Sequence, residues 1–419
     1  VNQTAERIYY DEPAALEFTA EVTAIREVAR VDGKQVWQLA LDRTAFYPTS
    51  GGQPFDTGTL TATARSGASL DVPITDVEED ETGEVWHTTS KPLQEGTAVR
   101  AAVHAGRRRD HMQQHSGQHL LSAILLRDFD AKTVSFHLGD ETSTIDLEGP
   151  ALDDAQLAAA AQRANHLIAA GLPFSIRYVS QEQAENMLAE GLLRKLPPRS
   201  GRIRIIEIDG VDTNACGGTH VASTAEIGPL LLRGTERVRG TLRLSFVCGA
   251  RAIRSADEDF RLLKSLGQTL STGVNNIAAT VERLQSDNKA ASKDRGALLG
   301  SMAALEAQAL AIQHGAQVMA KLDPQQPGRD AAYAKLLASA LVNGTAVEAA
   351  LIGVVEPERI SVVLASKPGV ADCGTLLRTV LAELGGRGGG GKELAQGAMP
   401  QDRFEDLAEQ IKQSIPPAV

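Results

Sequence analysis

The chain is 419 residues long, enough at about 150 residues per domain for roughly three domains and more than one hydrophobic core. Its 42 Lys and Arg stand against 53 Asp and Glu, a formal net charge of −11, which excludes a general basic coat for nucleic acid and a polybasic membrane anchor but leaves local basic patches open. A hydrophobic share of 42% with 23% charged residues excludes global disorder, and aromatics at 4% argue against base stacking as the main recognition device. Three cysteines, Cys216, Cys248 and Cys373, cannot build a disulfide framework in so long a chain and point to a reducing compartment. The opening residues, VNQTAERIYYDEPAALEF, lack the basic and apolar regions of a signal peptide, and the apolar runs fall far short of a membrane span. The expectation is a cytoplasmic protein with no membrane partner.

From about residue 16 to 103, runs such as FTAEVTAIREV, KQVWQLALD, GTLTATAR and LDVPITDVEE alternate with period two between turn residues. That pattern predicts a small β-barrel or a strongly twisted antiparallel sheet. Its loop from Thr44 to Gly58, TAFYPTSGGQPFDTG, is unusual. Residues 107–127, RRRDHMQQHSGQHLLSAILLR, have the periodicity of an amphipathic helix. Strand-like TVSFHLG and TSTIDLE follow, then a helix in DDAQLAAAAQRANHLIAAG with Asp153 as its N-cap, and strands in PFSIRYVS, GRIRIIEIDG and LRGTERVRGTLRLSFVCG. From about 254 to 320, apolar residues recur three or four apart: Leu263, Leu266, Leu270, Val274, Ile277, Val281 and Leu284, then Leu298, Met302, Leu305, Ala309 and Ile312. The stretch between them, QSDNKAASKDRG, has almost no apolar seam, so the segment reads as two helices in a hairpin or one long helix with a weak centre. Either way it supplies core helices or a dimer-forming coiled coil. The last hundred residues read as βαβα, with a Gly-rich loop that includes a short strand, GGRGGGGKELAQGAMP, ahead of a closing helix.

His115 and His119 are four apart in a helical pattern, which places both imidazoles on one face. A hundred residues later Cys216-Gly-Gly-Thr-His220 offers a thiolate and an imidazole on a loop whose glycines let it curl. Together they make the N/S donor set that tetrahedral zinc prefers. On spacing alone His111, one turn before His115, is an alternative ligand. A metalloprotease is excluded because Ser116 follows the first histidine where that motif needs a Glu base. Four protein ligands normally close a site whereas catalysis needs an open position, and spacing does not choose between the two.

The motifs HMQQHSGQHLL, CGGTHV, TAFYPTSGGQPFDTG and GGRGGGGKELAQG, in this chain, resemble those of the alanyl-tRNA editing proteins, free-standing relatives of the editing region of alanyl-tRNA synthetase. The long form of that family ends in a DHHA1 domain. The resemblance covers nearly the whole chain and leaves no segment for the synthetase's aminoacylation domain. It implies hydrolysis of the ester of mischarged seryl-tRNA(Ala), and of glycyl-tRNA(Ala), with one Zn2+ per chain. It puts His115, His119, Cys216 and His220 on the zinc positions, Thr44 on the hydroxyl-discriminating threonine, and Gln53 on the glutamine of the Gly-Gly-Gln motif with Gly51 and Gly52. Asp212 and His137 are candidates for a supporting role.

The implied partner is tRNA(Ala) carrying the wrong amino acid. Residues 194–254 hold eleven Lys/Arg against five Asp/Glu, and Arg107, Arg108 and Arg109 precede the zinc helix, so positive charge flanks the proposed site. Gly386 to Lys392 nearly spells a phosphate-binding loop, but Glu393 stands where Ser or Thr is needed and the loop follows a helix. Similarity to DHHA1 instead implies tRNA-backbone contact by Arg387 and Lys392. The expected fold is α+β and multidomain: a β-barrel with the Gly-Gly-Gln loop at 1–103, a zinc-binding α+β editing core at 104–253, a helical or coiled-coil arm at 254–320, and an α/β DHHA1-like domain at 321–419. The arm or the last domain is the expected homodimer surface. The rival readings are a non-catalytic tRNA-binding module with a structural zinc, and a P-loop NTPase.

Overall fold

The computed structural model describes residues 5–31, 34–196, 201–238, 240–323 and 325–415, and the chain divides into two units, Val1–Leu263 and Lys264–Val419. The first unit opens with β1 (Glu6–Arg7), α1 (Ile8–Asp11), β2 (Glu17–Val31), β3 (Lys34–Leu41), β4 (Arg43–Thr44), β5 (Gly58–Thr63), β6 (Ser69–Ile74), β7 (Asp76–Glu79), β8 (Val85–Thr89) and β9 (Ala98–Val103). Burial alternates residue by residue along β8 and β9, as it must where one face of a strand packs and the other does not. Seven of these strands form one sheet in the order β6-β5-β9-β2-β3-β8-β7. Its edge strands β6 and β7 are consecutive in the chain with Thr75 alone between them, so the sheet coils until its two edges meet there. Among the described residues no ladder joins those edges, and the expected barrel is a coiled sheet without a closing pair. Val22, Leu39, Leu41, Leu60, Val72, Ile74 and Val99 fill its interior.

Next come α2 (Ala105–Phe129), β10 (Lys132–Leu138), β11 (Ser143–Glu148), α3 (Asp154–Ala170), β12 (Phe174–Val179), α4 (Gln181–Ala189), β13 (Ile203–Ile208), β14 (Asp212–Ala215), β15 (Leu230–Val238), β16 (Thr241–Cys248) and α5 (Gly249–Thr269). They make a four-stranded antiparallel sheet, β10-β11-β16-β15, and a three-stranded one, β12-β13-β14. Helix α2 departs from the amphipathic expectation, because every residue from His111 to Leu125 is buried. Its polar side chains are satisfied inside: Gln114 donates to the Cys248 carbonyl at 3.0 Å and accepts the Cys248 N–H at 2.9 Å, and Gln113 donates to the Glu226 carbonyl at 2.9 Å. Asp153 caps α3 as expected, accepting the Gln156 N–H at 2.8 Å in a reciprocal capping box.

The second unit contains α6 (Ile277–His314), β17 (Gln317–Leu322), α7 (Ala331–Gly344), β18 (Ala349–Val355), β19 (Ile360–Ser366), α8 (Cys373–Glu383), β20 (Arg387–Gly390), β21 (Leu394–Met399) and α9 (Phe404–Ser414). The polar stretch QSDNKAASKDRG is helical inside α6, so the weak centre does not break the helix; the chain turns earlier, between α5 and α6, where Ser271 takes a positive φ of 51°. The sheet order is β17-β18-β19-β21-β20, parallel only between β17 and β18. The expected βαβα order is thus replaced by two hairpins, β18-β19 and β20-β21, with helices between and around them. The Gly-rich segment forms strand β20 rather than a loop at a helix N-terminus, which removes the geometry a P-loop requires. Among the described residues no helix is long and apolar enough to cross a membrane.

Candidate metal centre

Helix α2 presents His115 and His119 one turn apart, and the loop leaving β14 brings Cys216 and His220 onto them. The four ligand atoms lie within 4.8 Å of one another; His111 is not among them. Cys216 Sγ is 3.5 Å from His115 Nε2 and 3.4 Å from His220 Nε2. Metal bonds of about 2.3 Å to sulfur and 2.0 Å to nitrogen at the tetrahedral angle give an S···N edge of about 3.5 Å, so these two Cys216–His pairs have the spacing of ligands to one zinc-sized ion. The approach is close enough to demand glycine at one position. A Cβ on Gly218 would lie 2.2 Å from His115 Cε1, whereas one on Gly217 would meet only Tyr10 at an ordinary 3.6 Å.

His115 and His220 are hydrogen-bonded through their other nitrogen, while that of His119 faces a carboxylate without a hydrogen bond. His115 Nδ1 is 2.8 Å from Gln53 Oε1; an amide oxygen can only accept, so the proton sits on Nδ1 and Nε2 is left free. Ser116 Oγ lies 3.2 Å from His220 Nδ1, and Asp212 Oδ2 lies 3.4 Å from His119 Nδ1. Asp212 is in turn held by Arg194 and Asn214. Burial alone would raise the Cys216 thiol, but His115 and His220 outweigh it and pull it well below its ordinary value. Burial opposes charge on His119, yet Asp212 and Cys216 raise its pKa to about 9, while burial holds His220 well below the usual imidazole range.

Gln53 reaches this centre through a two-residue turn. Ser50 and Gln53 exchange both backbone hydrogen bonds at 3.0 Å, with Gly51 at φ 57° and Gly52 at φ 87°, the two positive values of a type I′ turn. Gly52 packs so closely that a Cβ there would fall 2.6 Å from the Phe136 carbonyl oxygen. Gln53 is fully buried; besides His115 its oxygen takes the Thr219 N–H at 3.2 Å, and its nitrogen donates to Thr219 Oγ1 at 2.9 Å.

Three comparisons fit this arrangement. The class II (A) tRNA synthetase family matches residues 1–107, the threonyl and alanyl tRNA synthetase second additional domain matches 203–244, and the DHHA1 domain matches 316–416. The alanyl-tRNA editing protein of Mus musculus is 34% identical over 281 residues, covering 65% of this chain and 64% of that protein. The Bos taurus protein of the same name is 33% identical over 299 residues, 69% of this chain and 65% of that protein. The chain is a relative of the alanyl-tRNA editing proteins. It spans just under two thirds of the length of those relatives. It is also 31% identical over 417 residues to the alanine–tRNA ligase of Methanoculleus marisnigri, covering 96% of this chain and 42% of that enzyme. The second-additional-domain match carries Cys216 and His220, and the class II match carries the Gly-Gly-Gln turn; His115 and His119 lie between the two matched segments.

The other expected site residues fall in different places. Thr44 is fully buried, its Oγ1 2.8 Å from His87 Nε2 and accepting the Phe46 N–H at 3.0 Å. His87 Nδ1 faces the Leu39 carbonyl at 3.0 Å and carries the proton there, so Nε2 accepts and the Thr44 hydroxyl proton is spent on it. Arg109 is exposed and Arg107 half-buried, its Nε donating to the Phe55 carbonyl at 2.8 Å. Arg108 corrects the expectation of a tRNA contact. It is 1% exposed, paired with the fully buried Asp56 and hydrogen-bonded to the carbonyls of Pro13 and Ala45, so its charge serves the fold. The basic count over 194–254 is likewise less available than it reads: Arg204 and Arg251 are buried, and Arg194, Arg233 and Arg243 pair with Asp212, Asp259 and Asp146. Arg199 and Arg239 lie outside the described residues. His137 is exposed and not in the cluster, and Arg387 and Lys392 are exposed on and after β20 in the second unit. Sequence reasoning missed Ser116, His87 and Arg204. For Arg204 a signal existed, a cation set among Ile203, Ile205 and Ile206.

Proposed function

We propose that the chain is a zinc-dependent trans-editing deacylase that hydrolyses the ester of mischarged seryl-tRNA(Ala), and of glycyl-tRNA(Ala), releasing the free amino acid and the tRNA. The observation that carries this reading is the His115, His119, Cys216 and His220 cluster, with the second nitrogens of His115 and His220 hydrogen-bonded and that of His119 facing Asp212, in a relative of alanyl-tRNA editing proteins. An alanine-selecting site cannot strongly reject an amino acid that adds a hydroxyl or lacks a methyl, so a second, hydrolytic sieve is needed. Bound at the four ligands, zinc would supply Lewis acidity toward an ester carbonyl or water.

The chain's own residues would do the rest. Gln53 keeps the His115 proton on Nδ1 and so keeps Nε2 available; this makes it a positioning residue. Thr44, its own proton already given to His87, has only acceptor capacity to offer, which suits a serine hydroxyl that donates and gives an alanyl methyl nothing. Gly51 and Gly52 let the turn approach β10 closely. Arg107, Arg109, Arg387 and Lys392 are the proposed contacts to the tRNA backbone. We assign the roles to 1–103, 104–253, 254–320 and 321–419 in that order: substrate-facing sheet, metal core, helical arm and tRNA-binding domain. Leu284, Leu298, Leu305 and Ile312 recur on α6 at multiples of seven and are 46%, 70%, 69% and 89% exposed, which supports the arm as a homodimer face.

One observation favours a second reading. Four protein ligands, three of them buried and Cys216 half-buried, are what a structural zinc site uses, and such a protein would bind charged tRNA without cleaving it. Time courses of seryl-, glycyl- and alanyl-tRNA deacylation before and after chelation separate the two. Loss of seryl-tRNA hydrolysis with retained fold, restored by Zn2+, is the expected result. Full hydrolysis by metal-stripped, folded protein would refute the metal's part in the reaction, and absence of hydrolysis by the loaded protein would favour the second reading.

A further inference from the structure

Arg204 is a charged side chain on β13 that is only 7% exposed, and among the described residues no carboxylate pairs with it. Burying a guanidinium with no carboxylate beside it is costly, so such a group persists where its hydrogen bonds do something for the structure around it. Its bonds converge on one place. Nη1 donates to the carbonyls of Cys216 at 2.7 Å and Gly218 at 2.9 Å, and Nε donates to the Tyr10 carbonyl at 2.8 Å. The Arg204 main chain adds a fourth link, its carbonyl accepting the Cys216 N–H at 3.2 Å. Cys216 is therefore held from both of its peptide groups by one residue. Gly218, held by the same nitrogen, is the residue that abuts His115.

We infer that Arg204 is a positioning residue for the metal centre, fixing the Cys216–Gly218 arm at the distance from α2 that lets Cys216 and His115 share one ion. A fork of three donors is required, because three carbonyls are gripped from one buried point and an ammonium on a flexible stem does not reproduce that geometry. The link to Tyr10 ties the arm to α1, far from it in sequence. This inference rests on the metal reading above.

The test is metal binding by the full chain rather than turnover. Apo wild type, Arg204→Met and Arg204→Lys are titrated with Co2+, following the visible d–d bands and the thiolate-to-cobalt charge-transfer band, and Zn2+ affinity is measured by competition with a chromogenic chelator. Loss of a residue that orients a ligand weakens metal binding by about 10- to 100-fold, and that loss is expected for Arg204→Met, with a weakened charge-transfer band and a smaller loss for Arg204→Lys. A merely structural role would lower the melting temperature of the apo protein and leave the cobalt spectrum and affinity of the folded variants unchanged, which would overturn the inference. Should Arg204→Met fail to fold, Arg204→Lys decides in the same way. Wild type that binds neither ion would instead overturn the metal reading itself, so the two failures are distinct.

Discussion

Gly218→Ala should damage the metal centre while the neighbouring Gly217→Ala does not. The new methyl at 218 would stand 2.2 Å from His115 Cε1, 2.4 Å from its Nδ1 and 3.1 Å from Gln53 Oε1. Non-bonded carbons settle at about 3.5 Å or more, so the ring or the loop has to move by about 1.3 Å. Moving the ring breaks the 2.8 Å bond to Gln53, and moving the loop opens the 3.5 Å separation of Cys216 Sγ and His115 Nε2. Overpacking of this kind costs about 1–3 kcal/mol, which, borne by the metal-loaded geometry, is about 5- to 150-fold in metal affinity. At Gly217 the added methyl meets Tyr10 at 3.6 Å and nothing has to shift. The assay is chelator competition for Zn2+ on both variants, with circular dichroism to establish folding and seryl-tRNA deacylation alongside. Equal Zn2+ affinity in Gly218→Ala, Gly217→Ala and wild type would refute the reasoning.

Arg108→Met leaves Asp56 buried and unpaired and should cost about 3–5 kcal/mol in urea unfolding, while Arg108→Met with Asp56→Leu recovers most of it; a tRNA-contact role would instead show as lost affinity with unchanged stability. His87, held neutral by burial with its pKa lowered from 6.5 to about 4, binds its proton more readily in the unfolded chain, so stability is full above pH 6.5 and falls by about 3 kcal/mol as pH drops toward 4. His87→Leu should flatten that part of the stability–pH curve, and an unchanged slope would count against it. Thr44→Val removes an acceptor worth about tenfold, so the ratio of seryl- to alanyl-tRNA hydrolysis should fall by about that factor; an unchanged ratio sinks the discrimination role. Leu298→Glu with Leu305→Glu should convert a dimer to a monomer in sedimentation equilibrium, and a wild type already monomeric at high concentration rules out the α6 interface.

The pieces that local rules govern were legible in the amino-acid order. His115 and His119 share a face because a helix repeats every 3.6 residues, and Asp153 caps α3 because a short acidic side chain suits that position. Other readings failed where a local pattern had more than one tertiary outcome. The polar residues of α2 read as a solvent face but are paired in the interior, and the Gly-rich tail reads as a loop with one short strand but its glycines themselves form a further, edge strand. The weak centre of α6 stays helical because polar residues on an exposed helix cost little, while the chain turns earlier at Ser271.

By itself the sequence determined which residue types could form a metal site and where the period changes from two to 3.6. It also carried the motifs by which the chain resembles alanyl-tRNA editing proteins. Only the tertiary structure decided which of its charges are available. Arg108, Arg204 and Arg251 count as basic residues in any composition, yet each is buried and bonded within the fold, and Gln53 faces a histidine 62 positions away. The physical reason is range. Helical periodicity and capping act within a few residues, whereas desolvation and hydrogen-bond partnership depend on segments that the chain brings together only on folding.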